Sequence, residues 1–318
     1  MSMLSLIVPV YRNEASLPDL LDAVARLDQA VGMPFEAVFV VDGSPDRCYE
    51  ILRDRLASCP FASQLVLLSR NFGSFSAIRA GLQAGRGDCF AVMAADLQEP
   101  PELVIQMAAI LRADEADVVL GVRNARNDPA ASRLTAGLFW ALYRRYVIPE
   151  VPAGGVDIFG CNKVFRDELL SLAESHTSLI AQVFWLGYRR RFVEYERRAR
   201  EHGTSAWTFR KKLSYMMDSV FAFTDLPIRL LLRAGGVVAL LSGLFAITVV
   251  VSRLAGWIAV PGYAITILAI IFFGALNLFA LGVVGSYAWR AYENSKARPL
   301  HLVLRRHAWP APPTEDSP

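Results

Sequence analysis

Two long stretches without a charged residue constrain this chain more than any other feature. Residues 234–252 carry none over 19 positions and residues 254–289 none over 36, and about 20 apolar residues in a helix suffice to cross a hydrocarbon core of about 30 Å. Core helices of soluble proteins rarely go uncharged for so long, so both stretches are expected to span a membrane. Residues 253–262, with Gly256, Pro261 and Gly262, read as the turn between them. Arg229 and Arg233 precede the first stretch, and Arg290, Lys296, Arg298, Arg305 and Arg306 follow the second, whereas the turn offers only Arg253. Lys and Arg gather on the cytoplasmic side. Both termini are therefore expected in the cytoplasm, and the chain reads as a multi-pass protein of the inner (cytoplasmic) membrane. The N-terminal run to Tyr11 lacks a cationic start and is cut by Pro9, which suits a strand and not a signal peptide.

Ahead of the membrane, apolar runs of strand length alternate with helical periodicity. Strands are expected over residues 4–10, 35–41, 64–68, 89–93 and 117–122, with helices over 14–31, from Asp46 to about Ala57, up to Leu82, and over 102–111. Uniformly apolar strands between helices indicate a parallel sheet covered on both faces. With 318 residues, 54% of them hydrophobic, the chain can bury such a domain and still fill two spans. Polar groups recur at the carboxyl end of each strand: Tyr11 and Asn13, Asp42, Arg70 and Asn71, Asp96 and Gln98, then Arg123 and Arg126. Open α/β sheets bind ligands along that edge. The fourth of these ends, residues 93–102, allows two readings. One is a site for a metal and a diphosphate; the other is a helix start at which Glu99 and Glu102 favour the positive end of the helix dipole.

Several chemistries lose support. No G-x-G-x-x-G follows the first strand and no G-x-x-x-x-G-K-S/T occurs, which argues against a dinucleotide redox enzyme and a P-loop NTPase. The histidines (His176, His202, His301, His307) are scattered and read as surface residues. The four cysteines show no metal-type spacing and are expected as free thiols. A net charge of +3 gives no reason to expect nucleic acid. Basic residues nonetheless crowd positions 189–212, including Arg197, Arg198, Arg200, Lys211 and Lys212, which suits an anionic bilayer surface or a bound phosphate. Leu213, Met216, Met217, Val220 and Phe221 then repeat at helical spacing, which suits either an interfacial helix or an amphipathic linker packed on the preceding domain, interrupted at Pro227.

Four ordered motifs resemble those of family 2 glycosyltransferases: Val8-Pro9-Val10-Tyr11-Arg12-Asn13-Glu14, Val41-Asp42-Gly43-Ser44-Pro45-Asp46, Leu68-Ser69-Arg70-Asn71-Phe72-Gly73 and Asp96-Leu97-Gln98-Glu99-Pro100-Pro101-Glu102. The stretch from Tyr195 to Ser205 is similar to the Arg-x-x-Arg-x-x-Gly-x-Ser element of the polyprenyl-phosphate group, relatives of dolichol-phosphate mannose synthase with two C-terminal transmembrane helices. The resemblance covers about residues 4–300. It implies a GT-A-like, Rossmann-type, mostly parallel sheet in a cytoplasmic domain over 1–210, and interfacial helices over 211–233. A transmembrane hairpin follows over 234–289, with spans at about 234–252 and 264–287, and a cytoplasmic tail over 290–318, disordered from about Trp309 onward.

The resemblance further implies transfer of a single sugar, with inversion, from a nucleotide-sugar to polyprenyl (undecaprenyl) phosphate. Pro9, Tyr11, Glu14, Asp42, Arg70 and Asn71 would bind the donor. Asp96, Gln98, Asp157 and Arg123 would serve catalysis, with Asp96 and Gln98 facing Mg²⁺ or Mn²⁺. Arg126, Arg133, Arg197, Arg200 and Ser205 would hold the acceptor phosphate, membrane lipids would surround the spans, and relatives imply a homo-oligomer, a tetramer. The family pattern Asp-Ala-Asp-Leu-Gln here reads Ala94-Ala95-Asp96-Leu97-Gln98, so the first carboxylate is absent, and Val41 stands where relatives carry Asp or Asn. An inactive nucleotide-sugar-binding scaffold is the alternative that Ala94 suggests. A processive polysaccharide synthase is opposed by the two spans and by Gln182-Val183-Phe184-Trp185 in place of Gln-x-x-Arg-Trp.

Overall fold

The computed structural model describes residues 2–123, 143–145, 148–152, 155–175, 177–198, 209–255 and 263–311. Strands β1 (Leu4–Val10), β2 (Phe35–Val41), β3 (Ala62–Leu68), β4 (Cys89–Val92) and β5 (Val118–Arg123) alternate with helices α1 (Leu17–Val31), α2 (Cys48–Leu56), α3 (Ser74–Ala84) and α4 (Pro101–Arg112). Every residue of β2 is buried, as a near-continuous apolar run requires when helices cover both faces. Helix α1 buries Leu17, Leu20, Leu21, Val24, Leu27 and Val31 along one face and stops at Gly32, whose φ of 64° is left-handed. A 3₁₀ turn, Glu14–Ser16, precedes it, so the α-helix starts three residues later than its periodicity predicts.

Strands β6 (Val156–Asn162), β7 (Arg190–Tyr195) and β8 (Val303–Trp309) complete an eight-stranded sheet in the order β7-β5-β6-β4-β1-β2-β3-β8. Strand β6 runs antiparallel between β4 and β5, and β7 runs parallel to β5. Strand β8 is antiparallel to β3, with Ser63 opposite Trp309. The sheet is thus mixed but mostly parallel. Trp309, expected in a disordered end, instead closes this strand. An edge strand held by backbone bonds on one side needs no apolar alternation, and Val-Leu-Arg-Arg-His-Ala-Trp shows none.

A buried polar cluster ties that last strand to the sheet. Glu36, fully buried on β2, accepts from the Ser5 hydroxyl (2.7 Å), the Gln64 amide (2.9 Å), and the Arg86 backbone N–H (2.6 Å) and guanidinium (2.9 Å). Arg306 of β8 reaches in from outside, donating to Gln64 Oε1 (2.5 Å) and to the Ala84 carbonyl (3.0 Å). His307, expected as a plain surface residue, pairs with the Tyr49 hydroxyl at 3.0 Å. Arg306→Ala should therefore cost about 1–3 kcal/mol, read as a lower thermal midpoint in detergent, while Arg305→Ala should change little.

Helices α5 (Lys163–Ser171) and α6 (Leu179–Trp185) start at Asn162 and Ser178, whose side chains accept from the Phe165 and Ala181 amides. Helix α7 (Phe209–Phe223) leads to α8 (Leu226–Leu254) and α9 (Tyr263–Ser295). The last two are long and apolar enough to cross a membrane. Pro227 is the second residue of α8, where its missing N–H goes unused. Residues 228–232, expected in a separate interfacial segment, therefore continue the membrane-length helix. At its charged end α9 is anchored twice. Arg290 pairs with Asp218 of α7 at 2.8 Å, and Asn294 accepts from the Ser175 amide (3.2 Å) and hydroxyl (3.0 Å). The Asn294 contacts and β8 hold the sheet beside the apolar helices, while the Arg290 pair joins two helices.

Candidate active site

The parallel strands deliver their carboxyl ends to one edge, and three loops there are stitched into a single surface. After β1, the Arg12 backbone is left-handed (φ 55°) and its N–H donates to Ser44 Oγ at 2.8 Å. Ser44 donates in turn to Asp46 (2.6 Å), Asp46 accepts from the Glu14 amide (3.3 Å), and Glu14 accepts from the Arg47 amide (3.1 Å). Burial pushes the Cys48 thiol up to about 12, with Asp46 beside it adding to the shift. That thiol is an inert brace. The Ser44–Asp46–Glu14 brace was not foreseen from the sequence, although a serine two residues before an aspartate in a Gly-Ser-Pro-Asp turn is a fair signal for it.

Asp42 organises the next loop. Its carboxylate is buried and accepts from the amides of Phe72 (2.7 Å) and Gly73 (2.8 Å), while Asn71 donates to its carbonyl (3.3 Å). Burial raises its pKa against the pull of those two amides and of Arg70. The β2 and β3 loops meet so closely that a Cβ on Gly43 would lie 2.2 Å from the Arg70 carbonyl carbon, and Gly43 has φ +55°. Gly43→Ala should thus cost about 1–3 kcal/mol of local strain, measured as a lower thermal midpoint.

The expected donor-binding residues sit on this surface in different ways. Pro9 lies in β1 opposite Val40, and Tyr11 follows the strand with the Arg12 guanidinium 5.4 Å from its ring. Arg70 is exposed and stacks 4.0 Å over Phe72. Glu14 and Asp42 face backbone amides of neighbouring loops and so shape the surface.

The fourth strand end carries the motif residues. Leu97 is left-handed (φ 54°), which turns the chain so that the Gln98 amide donates to Asp96 Oδ1 at 3.3 Å. Asp96 is half-buried at the rim. Gln98 is buried, and its amide oxygen accepts from the Arg197 guanidinium. The residues after β7 lie against this turn: the Arg198 amide donates to the Gln98 carbonyl (2.9 Å), and its guanidinium meets Glu102 at 3.4 Å. Next to them opens a cavity of about 440 Å³, between Pro100, Leu103 and Gln106 on one side and Glu194 and Glu196 on the other.

Arg123 ends β5, one residue after Val122, which pairs with Val156 of β6. Asp157 follows Val156, and its side chain lies outside the described atoms, as do residues Arg126, Arg133, Arg200 and Ser205. Among the described residues no three His, Cys, Asp or Glu side chains converge to hold a metal. One carboxylate and one amide oxygen in a tight turn still fit Mg²⁺ or Mn²⁺, which complete their shells with water and substrate phosphates.

Comparison with known proteins bears directly on this edge, because the matching family model, glycosyl transferase family 2, spans residues 5–173 and so covers β1 to α5. An uncharacterized glycosyltransferase of Synechocystis sp. is 31% identical over 301 residues, 94% of either chain. The undecaprenyl-phosphate 4-deoxy-4-formamido-L-arabinose transferase of Pseudomonas paraeruginosa is 34% identical over 311 residues, 95% of this chain and 90% of its own. Among solved structures, glucosyl-3-phosphoglycerate synthase from Mycobacterium tuberculosis matches 70% of this chain and 78% of its own, with 19% identity and a TM-score of 0.47. With more than half of the sequence inside the family model and near-full-length relatives above 30% identity, the chain belongs to glycosyl transferase family 2.

Proposed function

We propose that this glycosyltransferase moves one sugar from a nucleotide-sugar to a polyprenyl phosphate, undecaprenyl phosphate in the bacterial case, with inversion and with help from Mg²⁺ or Mn²⁺, at the cytoplasmic face of the inner membrane. The observation that carries the reading is the joining of two things in one chain. The strand ends of β1 to β4 form a surface bearing Asp96, and β8 and Asn294 hold that surface beside two helices of membrane-spanning length. A lipid-linked acceptor needs such an arrangement, whereas a soluble one does not. The resemblance of nearly the whole chain to a named undecaprenyl-phosphate sugar transferase supports the same reading.

The chemistry follows from the groups at hand. Asp96 would supply the hard oxygen for a divalent cation, which when bound would offset the charge of the departing nucleoside diphosphate. Tyr11, Arg70 and Asn71, on loops that Asp42 and Glu14 fix in place, position the donor. An acceptor phosphate is already anionic at neutral pH, so attack on the anomeric carbon needs alignment and charge neutralisation more than a strong base. Arg197 and Arg123, with Arg126, Arg133, Arg200 and Ser205 in the segments beyond, would provide that neutralisation, since guanidinium forks match phosphate oxygens. Asp157 would orient an arginine or the sugar.

The test is consumption of donor by purified protein with Mg²⁺ or Mn²⁺, polyprenyl phosphate and a panel of nucleotide-sugars, followed by NMR of the product's anomeric configuration. One donor should be consumed only when lipid and metal are both present, with inverted configuration. No consumption beside an active relative would overturn the reading, and metal-independent nucleotide binding without turnover would favour a scaffold.

A further inference from the structure

Gln98 and Arg197 together point to a device for ordering the two substrates. The side-chain amide oxygen of Gln98 follows the Asp96 carboxylate by two residues in the motif turn, and the Arg197 guanidinium donates to it. The Arg197 donor occupies one of the two lone pairs of that oxygen, and a divalent cation on the other would face its positive charge at close range, so the two compete through repulsion. The rest of the contact is shallow. Residues 196–198 are exposed and held by the Arg198 amide on the Gln98 carbonyl, the Gln98 side-chain amide on the Arg198 carbonyl at 3.5 Å and the 3.4 Å pairing of Arg198 with Glu102. On their flank lies the 440 Å³ cavity, which Arg197 and Arg198 themselves line. Beyond it the chain runs on through the basic stretch toward α7 and the apolar helices.

We infer that Arg197 on Gln98 is a latch: a divalent cation arriving with the donor displaces Arg197 from the amide oxygen, and the released guanidinium becomes available to the acceptor phosphate. The inference rests on the metal-assisted reading above. Its consequence is that acceptor engagement follows metal binding, so that Arg197 stays on Gln98 until the cation that accompanies the donor is in place.

Binding of Mn²⁺ alone to the full chain in detergent, followed by water proton relaxation, tests the latch without turnover. Arg197→Gln removes the competing cation and should tighten Mn²⁺ binding several-fold. Arg197→Lys retains a positive charge and should stay near wild type, which separates competition from damage to the fold. Asp96→Asn should abolish the binding in every background. If wild type binds Mn²⁺ through Asp96 and Arg197→Gln leaves the affinity unchanged or weaker, the latch is wrong and the metal reading stands. If Asp96→Asn leaves Mn²⁺ binding unaltered, both fall. Hydrogen exchange gives a second readout: Mn²⁺ should speed exchange of the Arg198 amide, and unchanged protection would contradict the latch.

Discussion

Asp96→Asn is expected to lower the rate of sugar transfer by roughly 10²–10³-fold while leaving the thermal midpoint close to wild type. The side chain stands half-buried at the rim of the cleft, so the isosteric amide keeps the shape of the turn and removes the charge. Ala94 stands two residues earlier where the family pattern has a carboxylate, so no acid on that side of Asp96 can take over its charge. Glu102 offers the contrast. It lies in the first turn of α4, exposed and paired with Arg198 at 3.4 Å, so Glu102→Gln should change the rate by only a few-fold. Steady-state kinetics of the two variants against wild type, with circular dichroism as the fold check, would separate the roles. Equal losses in both would return the motif to a helix start.

The largest effect on stability is expected at the opposite edge of the sheet. Glu36→Ala should cost about 3 kcal/mol, because it strips the acceptor from the Ser5 hydroxyl and the Arg86 amide and removes one of two acceptors from the Gln64 amide. Arg86→Ala should cost less, since its side chain is 57% exposed whereas that of Glu36 is 1% exposed. The same site gives a pH dependence. Burial pushes the Glu36 carboxyl up, but the hydrogen bonds from Arg86, Ser5 and Gln64 outweigh it and hold the folded value below the usual range. A depressed carboxylate contributes stability above its unfolded pKa, about 4.3, and loses it as pH falls through the lower folded value. Thermal midpoints of wild type should therefore drop below about pH 4, and Glu36→Ala should show a shallower acid slope.

Much of this was legible in the chain because the relevant signals are local. Apolar runs gave β1 and β2 with their observed ends and β3 to β5 within two residues, since strands buried on both faces leave no ambiguity of period. The uncharged runs likewise anticipated α8 and α9. What escaped depends on long-range pairing. Strand β8 is mostly exposed and stands 235 residues after its partner β3, counted from Leu68 to Val303, and its bonds are mainly to backbone and to Gln64. Strands β6 and β7 pair across β5 and carry the same ambiguity. Within the site, motif spacing brought Asp42, Asp96 and Gln98 to one edge but could not say what each faces. Asp42 turns to the Phe72 and Gly73 amides, Glu14 to Arg47, and Gln98 to Arg197 from a segment about 100 residues away. Such partners are set by tertiary closure, which no single stretch of sequence records.

The most direct test of the central claim is mass spectrometry of the lipid fraction after incubating the purified protein with native lipid extract, Mg²⁺ and a nucleotide-sugar panel. A polyprenyl phosphate heavier by one sugar residue is the predicted product, present with wild type and strongly reduced with Asp96→Asn. A lipid carrying a longer saccharide, or donor consumed with no polyprenyl-linked product at all, would contradict it.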